Sequence, residues 1–231
     1  MKRIESHFER SVPAKRFKPN GVGKLEDITV TPMKSSLNEW EETMTTPRII
    51  ELRDKLYSCL SSPRDGKTFL KCIEDEECTI EELKEVVLLQ VPDGIYGGGG
   101  ILLHKACSIL DFNSERSIEV LRKLIAADVS TLYAQNSGMR QIPLQRAICR
   151  KNVPSEIIEL FLTADRSDPK STLFMKDADG DLALHFAVIF EHNIRNVHLI
   201  LSNLSDEHKK VLLFSKNNEG HTPFHEACYR S

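Results

Sequence analysis

The chain has no run of roughly eighteen or more apolar residues, so no membrane-spanning helix is expected. It also has no excess charge of one sign. Its 31 Lys and Arg against 34 Asp and Glu leave a net charge of -3, and nothing in that balance points to nucleic acid. The start, Met1-Lys2-Arg3-Ile4-Glu5, runs into mixed charge without the apolar stretch of a secretory signal. The six cysteines (Cys59, Cys72, Cys78, Cys107, Cys149 and Cys228) show no framework spacing, which argues against a disulfide scaffold and suits a reducing compartment. No nucleophile elbow, kinase motif set or dinucleotide fingerprint is present. The expectation is a non-catalytic protein with no cofactor and no metal, in the cytoplasm.

What the chain does have is a recurring word. It reads Ile101-Leu102-Leu103-His104-Lys105-Ala106, then Ile142-Pro143-Leu144-Gln145-Arg146-Ala147. It returns as Leu182-Ala183-Leu184-His185-Phe186-Ala187 and Thr222-Pro223-Phe224-His225-Glu226-Ala227. The fourth residues of the word are 41, 40 and 40 positions apart. A fixed period of about 20–50 residues signals stacked units, each needing its neighbours to bury an apolar face. Two further features repeat in phase. A second apolar helix carries Val120, Leu121, Leu124 and Ile125, then Ile157, Ile158, Phe161 and Leu162, then Val197, Ile200 and Leu201. A Leu-aromatic pair follows at Leu132-Tyr133, Leu173-Phe174 and Leu213-Phe214.

The N-terminal part differs. The first 24 residues carry seven Lys or Arg and two Glu, while residues 25–45 carry five acids and Lys34. Neither stretch has sustained periodicity, so 1–46 is expected to be a disordered tail. From Thr46-Pro47 the pattern turns helical, with Ile49, Leu52, Leu56 and Leu60 at amphipathic spacing. Thr79-Ile80-Glu81-Glu82 is a capping box ahead of Leu83, Val86, Val87 and Leu88. Thr68-Phe69-Leu70-Lys71 is a poor copy of the word. Residues 47–94 therefore read as a helical N-terminal cap with a degenerate repeat, and 95–231 as repeats, the last incomplete.

The word resembles the Thr-Pro-Leu-His-x-Ala signature of ankyrin repeats. The turns before it, Asp177-Ala178-Asp179-Gly180 and Asn217-Asn218-Glu219-Gly220, resemble the Asp-x-x-Gly hairpin of that family. The resemblance covers residues 95–231 well and 60–94 weakly. It implies an all-α, ankyrin-type helical solenoid of stacked helix-turn-helix repeats that acts as a protein-protein interaction scaffold. It also implies structural roles: His104, His185 and His225 bridge backbone groups around the turn, and Ala106, Ala147, Ala187 and Ala227 allow close helix approach. Pro143 and Pro223 start helices without losing a bond, Thr222 caps one, and Gly180 and Gly220 take a conformation that side chains resist. The chain departs from the pattern in several places. The period is about 40 rather than about 33, so longer helices or loops are expected. Thr is kept only at Thr222, Gln145 stands for one His, and Arg140 replaces one turn Gly. Polar bracing between repeats is therefore expected to be weaker than in a consensus array. The last unit has no second helix before Ser231, which leaves a fragment, a frayed end or a face covered by another molecule.

Within the family's repeat, the residues expected to face a partner lie between the word's His and Ala and at the hairpin tips. They are Lys105, Arg146, Phe186 and Glu226, with Arg140, Asp179 and Glu219. Partners are expected to be other proteins, with no membrane or nucleic acid, and the chain itself monomeric. Other signals have plain readings. Gly97-Gly98-Gly99-Gly100 lacks the Gly-Lys-Ser/Thr of a phosphate cradle and sits where the hairpin turn belongs. His221, His225 and Cys228 have ligand-like spacing, but structural zinc takes four ligands and His225 belongs to the word. Cys107 and Cys228 follow the word's Ala, and burial as small apolar residues is expected. Lys15, Arg16 and Lys18 resemble a short nuclear localisation signal, and Thr31-Pro32 a proline-directed phosphosite, with Thr46-Pro47 and Ser62-Pro63 weaker. Leu37, Trp40 and Met44 have the spacing of a short docking helix. The alternatives to a scaffold are the regulatory front of a larger enzyme, a kinase or ubiquitin ligase, and a nuclear regulator with a basic tail.

Overall fold

A computed structural model describes residues 46–60, 64, 66–75, 78–91, 99–150, 152–168, 170–190 and 194–229. The calls on the tail, including Lys15, Arg16, Lys18, Thr31 and Trp40, lie outside the described residues, as do Gly97, Gly98 and Ser62-Pro63.

The described residues form twelve α-helices and no strand, beyond one isolated bridge between Val91 and Gly100. The first three helices are α1 (Pro47–Cys59), α2 (Lys67–Asp75) and α3 (Ile80–Leu88). Then come α4 (Leu102–Ile109), α5 (Glu115–Ala127), a 3-10 helix (Val129–Tyr133), α6 (Pro143–Ile148), α7 (Ser155–Ala164) and α8 (Ser171–Phe174). The remainder are α9 (Ala183–Phe190), α10 (Ile194–Ser202), α11 (Asp206–Phe214) and α12 (Pro223–Tyr229). None of these helices is long and apolar enough to cross a membrane.

The word opens α4, α6, α9 and α12, and these helices touch one another in that order. The second apolar helices form a parallel series, with α3 touching α5, α5 touching α7, and α7 touching α10. Ala106, Ala147 and Ala187 are fully buried, where a longer side chain would hold successive first helices apart. Leu103, Leu144, Val120, Leu121, Leu124, Ile157, Ile158 and Phe161 are likewise fully enclosed. Each such side chain contributes about 1.5–3 kcal/mol by leaving water. The Thr68–Lys71 stretch lies in α2, which packs on α1 and α5; the helices that touch α4 from the N-terminal side are α1 and α3. The Thr79 capping box forms in full, Glu82 N–H donating to Thr79 Oγ1 at 3.1 Å and Thr79 N–H to Glu82 Oε2 at 3.0 Å.

The long period has a different source from the one expected. Helices and loops are not simply stretched; a third helical segment ends each unit. It is the 3-10 helix after α5, α8 after α7 and α11 after α10, and each ends on the Leu-aromatic pair. Asp165 anchors one of these segments. Its carboxylate accepts from Thr172 N–H at 2.9 Å, Thr172 Oγ1 at 2.8 Å and the Tyr133 hydroxyl at 2.8 Å, with Ser167 completing the shell. Burial alone would raise this carboxyl, but the donors from Ser167, Thr172 and Tyr133 outweigh it and hold Asp165 below the usual carboxylate range. Stability from Asp165 is thus present above the ordinary carboxylate pKa and is lost as pH falls through the lower folded value.

One inserted residue explains the single 41-residue interval. The hairpin ladder closes from Asn136 N–H to Gln141 C=O in the second unit, five residues on, but from Asp177 to Asp181 and Asn217 to His221 in the others, four residues on. Arg140, Gly180 and Gly220 hold equivalent left-handed positions, at φ 52, 79 and 82. A Cβ on Gly180 would lie 2.6 Å from Asn218 Oδ1 and 2.9 Å from Asn218 N, whereas one on Gly220 would meet nothing within 4 Å. Both Gly180→Ala and Gly220→Ala should incur the left-handed penalty of about 1–2 kcal/mol. Gly180→Ala should lose at least about 1 kcal/mol more, because the next hairpin must retreat. Urea unfolding midpoints of the two variants check this ordering.

Candidate functional site

The fourth residue of the word caps the start of its own helix in every unit and, in the first three, also holds the next hairpin. His104 Nδ1 accepts from Ile101 N–H at 3.3 Å, His185 Nδ1 from Leu182 N–H at 3.1 Å and His225 Nδ1 from Thr222 N–H at 3.3 Å. Each bond satisfies a helix-start N–H that has no intrahelical acceptor. With Nδ1 accepting, the proton sits on Nε2, which donates to the hairpin of the following unit: His104 to Gln141 C=O at 2.9 Å and His185 to His221 C=O at 3.3 Å. Gln145 reproduces both contacts without a ring. Its Oε1 accepts from Ile142 N–H at 2.9 Å, and its Nε2 donates to Asp181 C=O at 3.1 Å and to Met175 C=O at 2.9 Å. The loss of bracing expected at Gln145 does not occur. The amide spans the same gap and adds a bond.

The hairpins are tied in turn. Ser137 N–H donates to Gly99 C=O at 2.7 Å, Ala178 N–H to Met139 C=O at 2.8 Å and Asn218 N–H to Asp179 C=O at 2.9 Å. Inside each hairpin the Asx side chain folds back. Asn136 Oδ1 accepts from Gln141 N–H, Asp177 Oδ1 from Asp179 and Asp181 N–H, and Asn217 Oδ1 from Glu219 and His221 N–H. Burial pushes the carboxyls of Asp177 and Asp181 upward.

This frame sorts the residues expected to meet a partner. Arg140, Asp179 and Glu219 are exposed on successive hairpins. Lys105 is half-buried, its ammonium 4.4 Å over the Tyr57 ring and 3.1 Å from the Tyr57 hydroxyl. Arg146 reaches Ser108 Oγ at 3.1 Å and Gln141 Oε1 at 3.3 Å. Phe186 and Glu226 are buried, at 6% and 7% exposure. Glu226 accepts from Asn217 Nδ2 at 3.3 Å and lies 2.9 Å from His221 Nδ1, so its carboxylate is matched from within. The structure therefore brings Lys105, Arg140, Arg146, Asp179 and Glu219 to accessible positions and turns Phe186 and Glu226 inward. Tyr57, which the sequence did not mark, joins the set through Lys105.

No family model matches the chain, and no curated protein matches it.

Several described residues with potential chemistry are held in the frame. Both ring nitrogens of His104 and His185 are bonded to backbone, which leaves neither a lone pair for a substrate. Burial pushes the thiols of Cys107 and Cys149 up to about 12, far from a nucleophile's range. Cys107 is buried as expected, but Cys228 is exposed, because its helix has no further unit beside it among the described residues. His221, His225 and Cys228 do not converge as ligands. The group that does converge is Glu219, His221 and Glu226, with ligand atoms within 4.8 Å of one another, but His221 already bonds Glu226 there.

Burial, foremost, and the Arg146 charge beside it push His104 down to about 4 from the ordinary 6.5. The unfolded chain therefore takes up this proton first. The His104 contribution is complete above about pH 6.5 and is lost as pH falls toward 4, a change of about 3 kcal/mol. His104→Gln should keep both bonds, as Gln145 does, and remove this dependence. Its unfolding free energy measured between pH 7 and 4 should show up to one proton less uptake than that of the natural chain.

Proposed function

We propose that the chain is a non-catalytic, ankyrin-type solenoid that binds other proteins across the surface formed by its hairpin tips and first helices. The observation that carries this reading is the thrice-repeated link from the fourth residue of the word to the backbone of the next unit, with the hairpin-to-hairpin bond beside it. Such links fix each unit against the next, independent of what the exposed positions hold. Those positions then differ in chemistry from unit to unit: a cation over an aromatic ring at Lys105 and Tyr57, a guanidinium at Arg140, carboxylates at Asp179 and Glu219. A fixed frame bearing varied exposed groups suits recognition of a partner by position rather than by overall charge. The surface runs from basic at Lys105 and Arg140 to acidic at Asp179 and Glu219, so the fitting partner segment is charged oppositely along its length. We place the protein in the cytoplasm, with Lys15, Arg16 and Lys18 as the route to the nucleus.

Affinity purification of the full chain, quantified by mass spectrometry, tests the surface against the variant Lys105→Glu, Arg140→Glu, Asp179→Lys. The expected outcome is at least one co-purifying protein reduced about tenfold or more, while the thermal melt of the variant matches that of the natural chain. An unchanged set of partners on an intact fold rejects this surface.

A further inference from the structure

The hairpin of the fourth unit brings an imidazole and two carboxylates to one point. His221 Nδ1 lies 2.9 Å from Glu226 Oε1 and 3.6 Å from Glu219 Oε2, and one ligand atom from each residue lies within 4.8 Å of the others. No other group of three or more His, Cys, Asp or Glu converges in this way among the described residues. Gly220, at φ 82, reverses the chain between Glu219 and His221. Glu226 arrives from the first turn of α12, at the place in the word that Lys105, Arg146 and Phe186 hold in the other units. Asn217 then holds all three residues at once. Its Oδ1 accepts from Glu219 N–H at 3.1 Å and His221 N–H at 2.9 Å, and its Nδ2 donates to Glu226 Oε1 at 3.3 Å.

These bonds leave negative charge in surplus. The match at Glu226 covers one oxygen only. The residue is 7% exposed, yet its donors reach Oε1, and Oε2 has none among the described residues. A carboxylate oxygen enclosed without a donor is costly. The Glu219 carboxylate has His221 alone opposite it among the described residues, so one imidazole faces two carboxylates. Asp181 adds a third from the hairpin before, accepting from the same Asn217 Nδ2 at 2.9 Å. Burial, foremost, and the Glu226 charge among its neighbours push the Asp181 carboxyl upward.

We propose that His221, Glu219 and Glu226 form a site for one divalent first-row metal ion, with zinc as its probe. Imidazole nitrogen and carboxylate oxygen both bind zinc, at about 2.0–2.2 Å. Tetrahedral bonds of that length set ligand atoms about 3.3–3.6 Å apart, close to the separations of His221 from both carboxylates. The ion replaces the proton that His221 Nδ1 now donates to Glu226, and that proton leaves to water. The Glu219 side chain is 76% exposed and turns about its own bonds to close the third side. Hairpin and helix start are then joined through metal, where the second unit uses a hydrogen bond from Arg146 to Gln141 Oε1 at 3.3 Å. Asn217, bonded to every ligand residue, is the group that orients them. His221 belongs to the ligand-like spacing with His225 and Cys228, but the partners it meets are the two carboxylates. The inference rests on this convergence and not on the partner surface proposed above.

Titration calorimetry of the full chain with zinc tests it. One ion should bind per chain, and the melting temperature should rise with free zinc. Glu219→Gln and Glu226→Gln should each weaken binding about tenfold or more and reduce that rise. Glu219 is exposed, so Glu219→Gln should keep the circular dichroism of the natural chain even if Glu226→Gln does not. Cobalt in place of zinc separates this site from cysteine ligation elsewhere, since nitrogen and oxygen ligands give visible bands without thiolate charge-transfer absorption. Failure of zinc to bind overturns the proposal. So does an affinity that either substitution leaves unchanged on an intact fold, or a cobalt spectrum dominated by thiolate absorption.

Discussion

The bond pair made by one side chain in each unit carries the rest. A helix that begins on Ile101, Ile142 or Leu182 has no side-chain cap of its own, and its first free N–H must find an acceptor three residues ahead. The imidazole or amide at the fourth position supplies it and uses its other end to hold the next hairpin. One group thereby sets both where a helix starts and how far away its neighbour sits. The buried alanines can be small only because that distance is fixed, and the leucines around them are excluded from water only because the helices lie that close.

The third helical segment extends this logic. It adds the Leu-aromatic pair to each unit and, through Tyr133 and Asp165, a polar contact from one unit into the segment of the next. A buried carboxylate is costly unless several donors surround it. Asp165 has donors from three residues, Ser167 in its own loop, Thr172 in α8 and Tyr133 in the unit before, and so it contributes stability. Asp177 and Asp181 sit among fewer compensating donors and are pushed the other way by burial. Acids of the same type thus shift in opposite directions: donors prevail at Asp165, while burial prevails at Asp177 and Asp181, with like-charged neighbours adding to it.

Much of the fold was legible in the residues. The word, the second apolar helices and the Thr79 cap are periodic or local signals, and each became a helix start, a packed helix or a capped end. The equivalence of Gln145 with histidine was less visible, because only geometry shows that an amide reaches the same two atoms. The third segment was marked by the Leu-aromatic recurrence, yet four residues such as Ser171–Phe174 are too few to show a helical period. Thr68–Lys71 resembles the word in its letters, but its helix packs with α1 and α5, a matter of tertiary order that no local pattern encodes. The accessible surface was only half legible. The hairpin tips Arg140, Asp179 and Glu219 follow from turn position, while Phe186 and Glu226 turned inward because Phe is apolar and Glu226 meets His221 and Asn217 from the hairpin before it.

The inserted residue between Asn136 and Gln141 shows where length can vary. One residue added inside α4 or α7 would rotate everything after it by about 100°, carrying leucines to the outside and polar residues to the inside. Added to a hairpin, it is taken up between Asn136 and Gln141, and the helices on either side keep their phase. The rim can therefore change shape while the interior stays in step, and a loop grafted at an equivalent tip would alter what the molecule touches without disturbing what holds it together.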